Sequence, residues 1–339
     1  LSMHGYPVPG WHSVPFDGMT DPLAQSLLPF YTQVARAFAP VMVQEFGTIL
    51  TAGATQQDLY LKAMLPACWQ SGGNGFLWWC LRDIKAKVHP YLRNGFEEYL
   101  GLVDDRDRVK PGLSFFLEFA REIQQRPAPE AAGDAVGLYF PQHFYARDDE
   151  RNPGNSPHPL SQRLVAANYL VRQVGRETRV VRGDRPLPVD LKTLVIPGAI
   201  LAGDEAERVA GWVRNGGRLV WHGPVGSGWG HACAELLGGR VSDYRAPLSS
   251  SVEIFARRWT FRRFPQNVRL EIQVSTAQAL AQDDHGLPMV LRNACGQGVV
   301  FYALPQVEDE FVAVCADRGA RSIWLDWYGG MLAAVEGQR

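Results

Sequence analysis

The sequence predicts an α/β protein, and three observations carry that expectation. Over residues 1–126, short apolar runs ending in polar residues alternate with longer stretches of helical periodicity. A stretch rich in proline and alanine, Arg126–Asp134, interrupts this rhythm as a linker would. From Ala135 a second alternation of strands and helices begins, the pattern of a doubly wound sheet.

The first alternation reads as three strand–helix units. Leu1–Tyr6 is a short strand, and Asp21-Pro22 then supplies an N-cap and a first-turn proline for a helix running to about Phe38. Pro40–Gly47 is a buried strand, followed by a helix over about Gln56–Trp69 with leucine and methionine at helical spacing. Gly75–Leu81 is the third strand, and Lys110-Pro111 starts a helix over about Gly112–Gln125. Three parallel strands would leave two unpaired edges, which argues for further strands upstream. The chain opens on Leu1, and residue 1 is expected not to be the natural start.

The second alternation gives strands at Ala135–Tyr139, Thr178–Val181, Thr193–Ile196 and Gly217–Trp221, with helices near Leu160–Val174 and Asp204–Asn215. Asn215-Gly216-Gly217 stops the latter helix. Beyond Arg240 come β-like runs at Val252–Phe255, Leu270–Val274, Met289–Leu291 and Gly298–Ala303, then a helical stretch near Arg321–Ala334. The expected division is therefore 1–126, 134–239 and a small β-rich region over 240–339.

Composition narrows the function classes. The 339 residues are 46% hydrophobic and 20% charged, with a formal net charge of −1, so no basic footprint for nucleic acid is present. Apolar runs fall short of the ~20 residues a membrane helix needs. Five cysteines without C-x-x-C spacing suggest neither a disulfide framework nor a zinc site. The chain is expected to be soluble, with a cytoplasmic location favoured though no signal fixes it.

Where parallel strands stop, polar residues gather: His4 and Tyr6 after the first, Gln44 and Glu45 after the second, Trp78 and Trp79 in the third, with Arg82 and Asp83 beyond. A carboxylate can attack or stabilise an anomeric centre, phenol and imidazole can orient it, and an indole face can carry a pyranose ring. Trp78 and Trp79 lie on alternate faces, so one should pack in the core and the other face the site. Each residue also has a plainer reading: a solvated glutamate at a strand end, a cap at a frayed terminus, and an ordinary loop pair at Arg82-Asp83. Trp11, His12 and Asp17 sit in a Gly/Pro-rich loop that suits a subsite wall or solvent equally well.

The order His-Gly-Tyr-Pro, Val-Gln-Glu-Phe-Gly and Phe-Leu-Trp-Trp-Cys-Leu resembles strands six, seven and eight of the retaining clan A glycoside hydrolases, the cellulase, β-mannosidase and β-galactosidase group. That resemblance implies the last three units of a (β/α)8 TIM barrel, with Glu45 as nucleophile, His4 and Tyr6 beside it, the Tyr6 phenol bonding the carboxylate, and Trp79 as the sugar-subsite floor. Gly101–Gly112 resembles the loop that introduces the last barrel helix. Leu194–Ala199 and Trp212–Val220 resemble the flavodoxin-like, class I amidotransferase-like domain that follows the barrel in β-galactosidases with a trimerisation domain. The implied activity is hydrolysis of β-linked glycosides by the intact parent, with a carbohydrate substrate, no cofactor, no metal, and homo-oligomer formation through the second domain left open. The strand-four acid/base glutamate of that group has no counterpart here, so residues 1–339 alone are expected to be inactive.

Two other readings stand beside this one. The chain could be a non-catalytic carbohydrate-binding or oligomerisation module. Glutamine-dependent nitrogen transfer would need a cysteine on a strand-to-helix elbow, yet the elbow after Leu219–Trp221 reads His222-Gly223-Pro224 and Cys233 comes later. Gly223, Gly226, Gly228 and Gly230 lack the Lys-Ser/Thr of a phosphate cradle.

Overall fold

A computed structural model of the chain describes residues 1–339 except 9–11, 13, 49–52, 85–97, 127–128, 130–132, 146–156, 202, 224–229, 247–249, 265–267 and 338–339. The protein is mixed α/β and divides into two compact units, Leu1–Ala131 and Ala132–Arg339.

The first unit contains β1 (Ser2–Gly5), α1 (Pro22–Arg36), β2 (Val41–Phe46), α2 (Ala54–Gln70), β3 (Gly73–Trp78) and α3 (Pro111–Gln124). The three strands form one parallel sheet in the order β1-β2-β3. Asp21 caps α1, its Oδ1 accepting from the Leu23 amide at 2.9 Å and its Oδ2 from the Asp17 amide at 2.8 Å, while Pro22 opens the first turn. Between sheet and helices, Leu28, Val43, Phe46, Tyr60, Leu61, Met64, Leu65 and Cys68 are buried together, with Phe76 and Trp78 packed against them. Each such fully buried apolar side chain contributes roughly 1.5–3 kcal/mol. The other face of the sheet is different. Ser2, His4, Met42, Gln44 and Leu77 are exposed there, Met42 by 39% and Leu77 by 49%. Parallel sheets normally have both faces covered.

The segment before α3 is lashed to this core. Gln57 donates through Nε2 to the carbonyls of Leu100 and Gly101, both at 3.1 Å, and the Trp78 indole donates to Leu100 O at 2.8 Å. A side chain at Gly101 would place its Cβ 2.3 Å from the Asp83 amide nitrogen. Glycine is what lets the two backbones approach.

The second unit holds β4 (Val136–Phe140), α4 (Gln142–Tyr145), α5 (Pro157–Gln173), β5 (Thr178–Arg182), β6 (Thr193–Pro197), α6 (Gly203–Arg214), β7 (Arg218–His222) and α7 (His231–Leu237). It continues with β8 (Gly239–Arg245), β9 (Ser250–Ile254), β10 (Arg257–Phe261), β11 (Arg269–Val274), β12 (Gln278–Gln282), β13 (Pro288–Cys295), β14 (Gly298–Ala303), α8 (Val307–Val314) and α9 (Arg318–Glu336). Seven strands form one sheet in the order β12-β13-β14-β7-β6-β4-β5. β14, β7, β6, β4 and β5 run parallel, while β13 is antiparallel to β14 and β12 to β13. All of β4 and β6 is buried, as a sheet covered on both faces requires.

Residues 240–339, expected as a small region of their own, therefore belong to this unit. β12, β13 and β14 extend its sheet beyond β7, and among the described strands of this unit the β8–β11 ribbon and the β9–β10 hairpin stand outside that sheet. The apolar β14, which pairs with β7 along its length, buries surface that β7 would otherwise leave open.

A buried polar cluster ties β7 to α8 and α9. His222 Nδ1 lies 2.6 Å from Glu308 Oε1, Tyr328 donates its hydroxyl to the same oxygen, and the Trp327 indole nitrogen is 3.4 Å from His222 Nε2. Both His222 and Glu308 are fully buried. Burial favours the neutral acid at Glu308, but the His222 imidazole and the Tyr328 hydroxyl outweigh it and hold the carboxyl below its ordinary range. Burial, with the Glu308 carboxylate beside it, pushes the Tyr328 phenol well up.

Removing the imidazole by His222→Leu leaves a buried carboxylate short of a donor and is expected to cost about 3–5 kcal/mol in denaturant unfolding. Because the folded-state carboxyl titrates below the unfolded one, its stabilisation is complete above the ordinary carboxylate range and fades as pH falls through the depressed value. Melting scans against pH should show Glu308→Gln less stable at neutral pH and losing less stability on acidification than the wild type.

Candidate active site

Parallel pairing puts the ends of β1, β2 and β3 side by side, and the candidate residues stand at those ends. His4 lies opposite Glu45 in the β1–β2 register, after an irregularity at Met3/His4 that skips Gln44. Tyr6 follows β1 by one residue, Glu45 is the penultimate residue of β2, and Trp79 follows β3 directly.

Tyr6 donates its hydroxyl to Glu45 Oε1 at 2.7 Å, and His4 Nδ1 is 3.5 Å from Oε2. The Tyr6 residue is buried, whereas the Glu45 side chain keeps 30% and the His4 side chain 54% of its surface open. A phenol–carboxylate bond of this length is a charge-assisted one, of the kind that contributes ~1.5–3 kcal/mol. It holds Oε1, while Oε2 faces the His4 imidazole.

Two residues frame the pair. A Cβ on Gly47 would lie 2.9 Å from Tyr6 Cε1 and 2.7 Å from the Trp79 carbonyl oxygen, so the ring passes where a side chain would otherwise be. His12 bonds through Nε2 to the Tyr6 carbonyl, with its ring stacked on Tyr31 at 6.0 Å and tilted against Phe16 at 5.8 Å. Sequence reasoning passed over Gly47; the sign it offered was a glycine two residues after the carboxylate.

Trp78 ends β3 and Trp79 lies just beyond it. Trp78 packs edge-on against Phe46 at 5.2 Å, within the core. Trp79 is half-buried, and its amide donates to Phe46 O at 2.9 Å, which holds its backbone beside Phe46 and Gly47.

Arg82 and Asp83 are structural. Asp83 is buried, accepting from the Gly101 amide at 2.9 Å and from Lys110 Nζ at 2.7 Å, and Arg82 pairs with Asp107. Asp17 belongs to the α1 cap through its amide. Trp11 lies outside the described residues, as do Pro224, Gly226 and Gly228. Asp83→Ala strands the shielded Lys110 ammonium and should cost about 3–5 kcal/mol in urea unfolding; a loss within ~0.5 kcal/mol, the range of a neutral surface change, would contradict this role.

In the second unit, the β7 elbow carries the buried His222. Cys233 lies buried in α7, and burial, aided by Glu207, pushes its thiol up to about 11. Such a thiol is mostly protonated at neutral pH, a poor nucleophile. Among the described residues, no cluster of His, Cys, Asp and Glu has the makings of a metal site, and no helix is long and apolar enough to cross a membrane.

No protein-family profile matches the chain, and no curated protein matches it. Solved structures do. The chain is 44% identical to an exo-β-1,4-mannosidase from Opitutaceae bacterium strain TAV5, superposing with a TM-score of 0.90 over 97% of this chain and 59% of that one. A β-galactosidase from Rahnella sp. R3 matches at 16% identity and TM-score 0.68, over 100% of this chain and 50% of that one. Another, from Bacillus circulans sp. alkalophilus, matches at 16% and 0.64, over 92% and 48%. The chain thus spans between about half and 59% of the proteins it matches. Over that span it is like the clan A glycoside hydrolases, as its strand-end residues suggested.

Proposed function

We propose that the chain carries the last three βα units of the (β/α)8 barrel of a retaining β-glycosidase, with Glu45 as nucleophile, followed by an amidotransferase-like α/β domain. The observation that carries this reading is the Tyr6–Glu45 bond at the ends of adjacent parallel strands, with the second carboxylate oxygen open beside His4. In a barrel the chemistry belongs at those ends. The exposed sheet face with Met42 and Leu77 supports the barrel reading, because strands closing the barrel would bury both residues inside it.

In the proposed reaction Glu45 Oε2 attacks the anomeric carbon while the aglycone oxygen leaves with a proton, and water then cleaves the glycosyl ester with net retention. Tyr6 keeps the carboxylate fixed for attack. Trp79, immediately after β3, offers its indole to the sugar ring. Retention needs a second carboxyl ~5–5.5 Å away to protonate the departing oxygen. In this reading that group comes from strands upstream of this span, and the greater length of the solved relatives supports it. A β-mannoside is the favoured substrate: 44% identity to a mannosidase over 97% of the chain outweighs 16% to β-galactosidases.

Glu45→Ala in the full-length protein should lose at least ~10³-fold in kcat on aryl β-mannosides, the order expected on removing a covalent nucleophile. Added azide should restore turnover and yield the inverted glycosyl azide. Full activity in the variant would move the binding-module reading ahead.

A further inference from the structure

We propose that His12 is a positioning residue for Glu45, holding Tyr6 by its backbone so that the phenol meets the carboxylate. The inference rests on the reading of Glu45 as nucleophile, and three features of the chain lead to it.

First, the contact is specific in direction. A carbonyl oxygen can only accept, so the Nε2 that meets Tyr6 O carries the proton. Burial pushes the His12 imidazole below its ordinary value, against the opposing pull of the Tyr6 carbonyl, so at neutral pH the ring is a neutral donor with one N–H, spent on Tyr6. Second, the ring is itself held. Tyr31 stacks on it from α1 and Phe16 leans against it, which makes His12 an anchored wedge rather than a loop residue in solvent. Third, Tyr6 is where such an anchor bears on the site. It stands beyond the last residue of β1, its ring runs through the space a Gly47 side chain would fill, and its hydroxyl reaches across to β2. Beyond β1 its carbonyl accepts from two donors, the Val8 amide at 2.8 Å and the His12 imidazole. The Val8 bond closes a local turn, whereas the His12 bond ties that turn to a ring packed on α1 through Tyr31.

The Tyr6 carbonyl and hydroxyl thus act as two ends of one strut, tied to His12 and to Glu45. A shift of 1 Å at a reacting group can slow a reaction by ~10²-fold, so a residue that never touches the sugar can set the rate of attack.

The test is a pair of variants read by the rate of glycosyl-enzyme formation in the full-length protein. A dinitrophenyl β-mannoside is suitable, because its aglycone departs without acid help. His12→Gln keeps an N–H donor at the reach of Nε2, and His12→Asn keeps a polar group too short to reach. Expected is a fall of about 10–100-fold in glycosylation rate for His12→Asn, with substrate affinity unchanged and His12→Gln within a few-fold of wild type. The double variant Tyr6→Phe/His12→Asn should be no slower than Tyr6→Phe, because both changes break one strut. Fully additive losses, or a His12→Asn rate equal to wild type while Tyr6→Phe is slow, would overturn the proposal. If Tyr6→Phe is as fast as wild type, the reading of the Tyr6–Glu45 site falls first and the role of His12 with it. A crystal structure of His12→Asn supplies the second measurement: Tyr6 still within hydrogen-bond distance of Glu45 would count against the strut.

Discussion

The pairing of β1 with β2, with one residue skipped, is the constraint on which the site depends. Ser2 and Met3 pair with Met42 and Val43, but His4 pairs with Glu45. In an unbroken ladder His4 would face Gln44, and the alternation of a strand would turn Glu45 toward the helices with Val43. The irregularity frees two consecutive residues, Gln44 and Glu45, between the inward-facing Val43 and Phe46. Glu45 reaches Tyr6 as a result, and Phe46 still completes the core against Trp78.

The same economy runs through the rest of the first unit. Glycine is used where two groups must share one space, at Gly47 between Tyr6 and Trp79 and at Gly101 against the Arg82–Asp83 backbone. Buried carboxylates are given donors, Asp83 from Lys110 and the Gly101 amide, and Asp21 from the Asp17 and Leu23 amides. In the second unit, His222 and Tyr328 both meet Glu308 through its Oε1.

Much of this was legible in the sequence. Asp21-Pro22 marked the start of α1 and Lys110-Pro111 that of α3, because capping and first-turn proline are local signals. The strands of the first unit showed as apolar runs because one face of each packs on helices. What escaped was structure without a hydrophobic period. β8 is Gly-Arg-Val-Ser-Asp-Tyr-Arg, mostly exposed and paired only with β11, and α8 opens on Glu308, Asp309 and Glu310 although Glu308 is buried. β13 and β14 were legible as apolar runs and β12 was missed, and that all three join one sheet was hidden, since membership of a sheet is a long-range fact. At the site, the residue types at strand ends marked Glu45, Tyr6, His4 and Trp79 as candidates, and the structure brings Tyr6 and His4 to Glu45. The tie from His12 was hidden, because a loop histidine gives no sign of which carbonyl it will meet.

The central claim is that Glu45 forms the covalent bond to the sugar. Its most direct test is to trap the full-length protein with a 2-deoxy-2-fluoro-β-mannosyl fluoride, digest it, and locate the added mass by tandem mass spectrometry. The account predicts one sugar per chain, esterified to Glu45 in the peptide containing Val43-Gln44-Glu45-Phe46-Gly47. A label on any other carboxylate would contradict it.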